Sequence, residues 1–349
     1  MIKKMASALF FIVFAFAMIP AKSGAGTMEI EKLYEAAKAE GEVVWHVFGP
    51  AGPWESVAKA FEEKYPGIDV KPFGHSVSRM PARLITEAQA GKLTVDVPSA
   101  NPMYILPLLE RDMLLKEDWG KIVPDLNPEV VLMDGYFLNE TDDPLIWVYN
   151  TNLVKEDEVP KSWEDLLDPR WKGHQISVRA MAGQLIGLYP KWKENPDEVI
   201  AFLKKLNAQE LQSAANLGEA FRRVATGECK VGIFRSNSYL KMKSDGAPIA
   251  IAPIGPAVTT PTGNILLKGA AHPNAARLLL SYLHSPEGAA VAAEAVKIGV
   301  ITGPKSTPTA ELLTSAGMKF ERIANTLEEC EDYMAFEKAA NEAMGWGKK

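Results

Sequence analysis

The sequence predicts an α/β fold made of two lobes. Short apolar runs typical of buried strands alternate with amphipathic stretches typical of helices, in two blocks along the chain. No low-complexity linker separates the blocks, and 349 residues suit two domains or one large bilobed unit. Strand–helix alternation implies parallel sheets with helices on both faces. We therefore expect two α/β lobes joined by strands that cross between them.

The first block places its predicted strands before Gly- and Pro-containing turns. A helix is expected at 55–65, where apolar residues recur on one face, and another begins near Pro81, because proline suits the first turn of a helix. The strands are predicted at residues 42–48, 68–73 and 95–97. In parallel sheets, ligands collect at the loops beyond the carboxyl ends of the strands.

The second block repeats the pattern without any detectable internal sequence repeat. Its last part is helical, with Pro273 and Pro286 each opening a helix. The strands of this block are predicted at residues 145–149, 176–178, 231–234, 249–252 and 264–267.

The N-terminus has the three-part layout of a secretory signal peptide. Lys3 and Lys4 form a basic region, residues 6–19 are apolar except for Ser7, and small residues follow up to Ala25. The apolar stretch is short for a membrane span, which needs roughly 20 residues. We expect residues 1–25 to be removed and the mature protein to be exported.

Composition and charge narrow the possible functions. The chain is 47% hydrophobic and 23% charged, which is typical of a globular protein, and its net charge of −6 argues against nucleic-acid binding. The two cysteines, Cys229 and Cys330, fit one disulfide in an oxidising compartment and fit two buried thiols equally well.

Several stretches, in order along the mature chain, resemble the family 1 extracellular solute-binding proteins of ABC importers, most closely the group shaped like the ferric-iron binders. The set is specific because SWEDLLDPRWKG is followed about a hundred residues later by HPNAA and SPEG. The stretches are residues 33–44 (LYEAAKAEGEVV), 57–70, 95–102 (VDVPSANP), 148–153 (VYNTNL), 162–173 (SWEDLLDPRWKG), 263–276 (GNILLKGAAHPNAA) and 283–288 (LHSPEG).

The resemblance implies a type 2 periplasmic-binding-protein fold, in which two α/β lobes close on a ligand. Lobe 1 is expected to comprise residues 27–145 with 256–315, and lobe 2 residues 146–255. A helical tail at 316–349 should pack on lobe 2. The crossings are expected near 145–149 and 254–260.

The same resemblance implies a periplasmic substrate-binding component of an ABC importer. We expect a small-molecule ligand, a membrane permease as partner, no cofactor, no catalysis and a monomer. Small-residue loops and arginines favour an anionic organic solute. The alternatives are ferric-ion transport and a sensory receptor that presents its ligand to a membrane kinase.

The lobe 1 candidates lie in loops that follow predicted strands. Trp54 is expected to stack on a ligand or to pack internally. The serines are expected to donate hydrogen bonds to a ligand or to cap the helices that follow. The lobe 1 candidates are Trp54, His75, Ser76, Ser99 and Asn101.

The lobe 2 candidates are Tyr149, Arg179, Arg235 and Asn237. An arginine fork can hold a carboxylate with two parallel hydrogen bonds, so Arg179 is expected to bind an anion together with Ser76 and Ser99. The alternative for each arginine is a surface ion pair, and for Tyr149 structural packing.

Metal and enzyme motifs are lacking in the sequence. The five histidines show no HxxxH or HExxH spacing, and the adjacent Tyr–Tyr pair of the ferric binders does not occur. There is also no GxSxG elbow, P-loop or GxGxxG motif. We therefore expect no metal site and no catalytic residues.

Overall fold

The computed structural model describes residues 25–74, 77–123, 125–296 and 307–346, so the predicted signal peptide lies outside the described residues except for Ala25. The α-helices are α1 (Ala25–Glu40), α2 (Gly52–Lys64), α3 (Met80–Gln89), α4 (Pro102–Leu109), α5 (Trp119–Ile122), α6 (Tyr189–Glu194), α7 (Pro196–Asn207), α8 (Leu217–Ala225), α9 (Ser236–Ser244), α10 (Pro273–Leu283), α11 (Pro286–Val296), α12 (Pro308–Ser315) and α13 (Leu327–Ala343). The strands are β1 (Glu42–Val47), β2 (Asp69–Gly74), β3 (Ser99–Ala100), β4 (Leu114–Leu115), β5 (Val131–Leu132), β6 (Phe137–Thr141), β7 (Leu145–Asn150), β8 (Ile176–Arg179), β9 (Gln212–Ala214), β10 (Val231–Arg235), β11 (Ile249–Ala252), β12 (Ala257–Thr259), β13 (Thr262–Asn264), β14 (Leu266–Leu267) and β15 (Phe320–Arg322).

Lobe 1 as described contains two adjoining groups of strands and a short antiparallel pair, β4 with β14. β1 and β2 run parallel, and Trp45 of β1 forms a parallel bridge with Val97, which precedes β3. The second group has the order β3-β13-β6-β5 with antiparallel neighbours. Helices α2 and α10 pack on the β1–β2 pair, α1 packs on α10, and α11 packs on α2. The apolar faces of these helices enclose the lobe 1 core with Trp45, Phe61 and Leu279.

Lobe 2 is built on a seven-stranded sheet with the order β15-β12-β7-β10-β8-β9, to which β11 adds beside β7. β8, β9 and β10 run parallel, whereas β7 is antiparallel to β10, β11 and β12. The expectation of parallel sheets is therefore only partly correct. Strands that cross from the other lobe enter the sheet in the opposite direction, which alternation along the sequence does not reveal.

Two of the segments that cross between the lobes lie entirely within the described residues. The first joins β6 of lobe 1 to β7 of lobe 2 through residues 142–144, and the second joins β12 of lobe 2 to β13 of lobe 1 through Thr260 and Pro261. Both crossings lie close to the places expected from the sequence.

The chain passes to lobe 2 once more after α11. α12 packs on α9, and its Leu313 lies in a core cluster with Ile146 and Phe234. β15 then pairs with β12, and α13 contacts α6 and α7 of lobe 2 as well as α4 of lobe 1. The tail at 316–349, expected to be helical, thus also contains the strand β15. Helix α12, expected in lobe 1, packs with lobe 2, because its apolar face is covered there.

Membrane-spanning helices are not found among the described residues, since none of their helices combines the necessary length and hydropathy.

Candidate functional site

The second crossing meets the lobe 1 sheet at Asn101, a predicted ligand contact that follows β3. Asn101 caps α4 by accepting the N–H of Met103 (3.4 Å). Its Nδ2 donates to Thr260 Oγ1 (2.8 Å) and to the carbonyl oxygen of Pro261 (3.0 Å). Asn101 therefore fixes the end of the lobe 1 sheet to the crossing, and its amide is already engaged within the protein.

Three polar side chains lie close together in the lobe 1 sheet beside this junction. Asn264 of β13 is opposite Ser99 of β3 and Leu138 of β6, and directly opposed residues of antiparallel strands point to the same face. Glu140 is the extra residue at a register shift between β6 and β13, and its carboxyl adjoins the Asn264 amide. We call Ser99, Glu140 and Asn264 the Glu140 cluster.

The polar atoms of the Glu140 cluster are buried and unsatisfied. Ser99 Oγ, both carboxylate oxygens of Glu140 and both amide atoms of Asn264 are shielded from solvent without a hydrogen-bond partner outside the cluster in the described part of the chain. Ser99 is 0% exposed and Asn264 1%. More than nine in ten buried polar groups in proteins are paired, so three adjoining exceptions are unusual.

Burial also changes the acidity of this cluster. It raises the pKa of Glu140 to about 7, and the neighbouring Asn264 amide opposes the shift. Sequence reasoning identified Ser99 but missed Glu140 and Asn264. Both lie within strands, and no local signal shows that their side chains lack partners.

The start of α9 forms the lobe 2 edge of the site. Asp143 Oδ1 accepts hydrogen bonds from Ser236 Oγ (2.8 Å) and from the N–H of Asn237 (3.0 Å). Arg235 Nη1 donates to the carbonyl oxygen of Asp143 (3.0 Å). Burial raises the pKa of the Asp143 carboxyl, and Arg235 and these hydrogen bonds oppose the shift. Asp143 thus supplies the negative charge that a helix N-terminus attracts. Arg235 and Asn237, both predicted ligand contacts, each already donate one hydrogen bond to Asp143.

Arg179 lies at the carboxyl end of β8, as predicted, and is half-buried. Its backbone N–H donates to Gln184 Oε1 (3.4 Å), whereas its guanidinium has no hydrogen bond or ion pair with another described residue. Its charge acts on Tyr104 of α4. Burial and the carboxyl of Glu337 raise the pKa of Tyr104, and Arg179 opposes them. The Arg179 side chain therefore lies on the side of lobe 2 that approaches lobe 1.

Helix α13 contributes two further polar side chains, beside the loop that follows β8, that sequence reasoning missed. Tyr333 Oη donates to Glu337 Oε1 (3.1 Å), and burial raises the pKa of Glu337, which this hydrogen bond opposes. The Glu337 carboxyl approaches Gly183, in the loop after β8. The i,i+4 spacing places Tyr333 and Glu337 on one helix face, but only tertiary packing brings that face to Gly183 in the loop after β8.

Trp54 is a structural residue, which corrects its prediction as a ligand contact. It is 2% exposed, its indole N–H donates to the carbonyl oxygen of Phe48 (3.0 Å), and its ring packs edge-on against Trp45 at 5.1 Å. A ligand therefore has no open face of the Trp54 ring to stack on, and the alternative of internal packing applies.

Tyr149 lies at the wrong end of the lobe 2 sheet to meet a ligand beside Arg179. In β7 it is opposite Val231, at the start of β10, whereas Leu145 is opposite Arg235 at the end of that strand. Four residues of strand separate the two ends by about 13 Å. The prediction rested on the position of Tyr149 near the end of a crossing strand, and the antiparallel direction of β7 places that end beside the start of β10.

His75 and Ser76, two of the predicted lobe 1 contacts, lie outside the described residues. Within the described ranges, no group of three or more histidine, cysteine, aspartate or glutamate side chains is arranged to hold a metal ion. Among the described residues, the candidates for a ligand site are therefore the Glu140 cluster and Asn101 on lobe 1, Arg179, Arg235 and Asn237 on lobe 2, and the Tyr333–Glu337 pair on α13.

Two α/β lobes linked by crossing strands, with polar side chains where they approach each other, define a binding protein of the type 2 periplasmic class. A family model described as bacterial extracellular solute-binding protein matches residues 56–319. The chain belongs to this family, whose members serve ABC importers as solute-binding components.

Solved structures show the same fold. Iron-bound HitA from Pseudomonas aeruginosa superposes with a TM-score of 0.66 at 21% identity, covering 85% of this chain and 99% of that one. A GABA receptor, Atu4243, superposes with a TM-score of 0.70 at 16% identity over 88% and 98% of the two chains. AfuA from Actinobacillus pleuropneumoniae, with bound fructose-6-phosphate, gives 0.61 at 19% identity over 87% and 96%.

A curated relative from Haemophilus influenzae, described as an uncharacterized protein, is 32% identical over 162 residues. The match covers 44% of this chain and 46% of the relative, so the chain spans about half the length of this relative.

Proposed function

We propose that this protein captures a small organic anion between its lobes, delivers it to the membrane permease of an ABC importer, and catalyses no reaction. Its place of action is the periplasm, after removal of residues 1–25. Membership of the extracellular solute-binding family supports this role. One similar structure is iron-bound, one has bound fructose-6-phosphate and one is a GABA receptor. Because these ligands differ in class, the ligand class of this chain is argued from its own site.

The observation that carries the proposal is the unpaired guanidinium of Arg179. Among the described residues no side chain neutralises it, although it is half-buried beside lobe 1. Arg235, whose side chain is 38% exposed, lies at the end of the strand next to β8 and adds positive charge. A carboxylate or phosphonate that contacts both arginines would complete their hydrogen bonds.

Closure of the lobes follows from contacts on both sides of the ligand. We assign residues 27–145 and 256–296 mainly to lobe 1 and residues 146–255 to lobe 2, with the crossing segments between them as the hinge. A ligand that touches both lobes stabilises the closed form by its greater affinity for that form. The permease would then recognise the closed pair of lobes.

Replacing Arg179 with Ala should weaken binding strongly. A thermal-shift screen of carboxylates, phosphonates, amines and ferric complexes would first identify the ligand, since binding raises stability by mass action. Calorimetric titration of Arg179→Ala should then show at least about 30-fold weaker binding, because a desolvated anion without its partner costs about 2–5 kcal/mol.

Arg222 provides a matched control, since it lies on α8 with its side chain 58% exposed. Arg222→Ala should bind the ligand as the wild type does. An unchanged dissociation constant for folded Arg179→Ala would contradict the proposed ligand contact. A screen without any ligand, or unimpaired uptake of that ligand in a host strain lacking this protein, would contradict the transport role.

A further inference from the structure

We propose that the Glu140 cluster receives the ammonium group of the solute, so that the ligand is a small zwitterion with its anionic end at Arg179. This inference rests on the proposed function and narrows its substrate class. Lobe 1 would then recognise the positive end of the solute and lobe 2 the negative end.

The first argument is the unsatisfied state of the cluster. Ser99 and Asn264 share one face of the β3-β13-β6 sheet, Glu140 adjoins them, and no polar side-chain atom among the three has a partner outside the cluster within the described residues. Burying one unpaired polar group costs about 1–3 kcal/mol, and a charged group costs more. Three such groups side by side are best explained by a ligand group that completes them.

The second argument is the chemistry of the atoms that are left open. Glu140 offers two carboxylate oxygens, Asn264 an amide oxygen and Ser99 a hydroxyl oxygen. A primary ammonium group has three N–H donors and no acceptor, and it carries the charge that a carboxylate attracts. An anionic group would be repelled by Glu140, and an apolar group would leave these oxygens unsatisfied.

The third argument is the position of the cluster. Glu140 lies in β6, three residues before Asp143 of the first crossing segment, and three residues span at most about 11 Å. The carbonyl oxygen of Asp143 is 3.0 Å from Arg235 Nη1. The Glu140 backbone therefore lies within about 11 Å of the Asp143 backbone that Arg235 contacts, and Arg235 ends the strand next to the one that ends at Arg179.

The acidity of Glu140 gives the inference a characteristic pH dependence. Burial raises the pKa of this carboxyl to about 7 in the empty site. An ammonium group binds the ionised carboxylate, so at lower pH it must displace a proton. Between pH 8 and pH 6 the affinity for an amino ligand should fall by about tenfold, whereas a ligand without an amino group should not show this fall.

The test compares three ligand series by calorimetric titration against the full mature protein. These are ω-amino carboxylates of two to six carbons, the matching ω-hydroxy carboxylates and the unsubstituted carboxylates. We expect the best amino carboxylate to bind at least tenfold more tightly than its hydroxy counterpart at pH 8. Glu140→Gln, which keeps the shape and removes the charge, should abolish this preference, while Glu63→Gln on the exposed surface of α2 should preserve it.

Equal binding of amino and hydroxy carboxylates would overturn the inference, and so would a preference that survives in Glu140→Gln. A ligand found in the wider screen that has no cationic group would also overturn it. In each of these cases the proposed function stands if Arg179→Ala still weakens binding. Loss of all binding in every screen would instead contradict the proposed function.

Discussion

Two carboxylates where lobe 1 leads into the first crossing, Glu140 in β6 and Asp142 two residues later, have opposite surroundings. Both oxygens of Asp142 accept hydrogen bonds from Arg322, at 2.8 Å from Nε and 2.7 Å from Nη2. Glu140 has no such partner among the described residues. Asp142 therefore joins the crossing to β15, whereas Glu140 is a buried charge that still lacks a partner. A buried ion pair is structural, and an unpaired buried carboxylate is a candidate for binding.

Glu140→Gln should stabilise the ligand-free protein by an amount that depends on pH. Burial raises the pKa of Glu140 from its usual 4.5 to about 7, so between these values the unfolded chain releases a proton that the folded chain retains. The wild type therefore loses stability as the pH rises through this window, and the loss is complete above about pH 7. At pH 8 the variant should be more stable by about 3 kcal/mol, and at pH 4 the two should be equal.

Urea unfolding at several pH values measures this difference. Glu63→Gln serves as the control, because the side chain of Glu63 is 70% exposed and its replacement should change stability by less than about 0.5 kcal/mol. A difference between Glu140→Gln and the wild type that is the same at pH 4 and pH 8 would show that Glu140 is not held in an unfavourable charged state.

The two cysteines should react only after unfolding. Both are free and buried, Cys229 in the core of lobe 2 and Cys330 against the lobe 1 core. Of the two alternatives that the sequence left open, the structure therefore has two buried thiols and no disulfide between them. Burial raises the pKa of both thiols, that of Cys330 to about 12, so little reactive thiolate forms. Ellman's reagent should detect no thiol in the native protein and two in denaturant. Absence of both in denaturant would indicate a disulfide.

At the scale of the element, β13 depends on a glycine. A Cβ atom at Gly263 would lie 1.9 Å from the carbonyl oxygen of Leu138 and 2.8 Å from Cε1 of Phe137. The strand can therefore approach β6 closely only because position 263 has no side chain. This close approach also sets the register that brings Asn264 beside Ser99.

Gly263→Ala should destabilise the protein by about 3 kcal/mol, because the new methyl group meets backbone atoms that cannot move separately. Gly52→Ala is the control, since Gly52 has ordinary backbone geometry and a methyl group added there would meet no atom within 4 Å. That change should be neutral or stabilise by up to about 1 kcal/mol. Chemical denaturation compares the two variants, and equal stability would show that β13 and β6 can separate without cost.

At the scale of the whole molecule, α13 connects the lobes outside the crossing strands. Cys330, in its first half, packs in a cluster with Met80 and Leu84 of lobe 1. Tyr333 and Phe336, further along, pack in the core of lobe 2. The lobes therefore share buried apolar surface through one helix, and unfolding either lobe removes a covering from the other.

The intact ligand-free protein should consequently unfold in a single calorimetric transition. The calorimetric and van't Hoff enthalpies should agree, with a ratio near one, as for a cooperative two-state unit. A chain truncated after Asn325 lacks α13 and should melt at a lower temperature, with the transition broadened or split. Two resolved transitions in the intact protein would show that the lobes are independent.

The sequence by itself determined the types of element and the class of the protein. Buried strands such as β1, β7 and β10 are nearly continuous apolar runs, and prolines occupy the first turns of α3, α10 and α11. These signals are local, because side-chain periodicity and proline geometry act within one element. For the same reason Ser99, Arg179 and Arg235 could be located at strand ends from the sequence.

The tertiary structure alone decided which of these side chains meet. Only the direction of β7 places Tyr149 away from Arg179, and only packing buries Trp54 against Trp45. The Glu140 cluster likewise depends on the pairing of β13 with both β3 and β6, strands far apart in the sequence. Lateral pairing depends on contacts between distant segments, and whether a buried polar atom finds a partner depends on all of its neighbours, so neither is encoded in a local pattern.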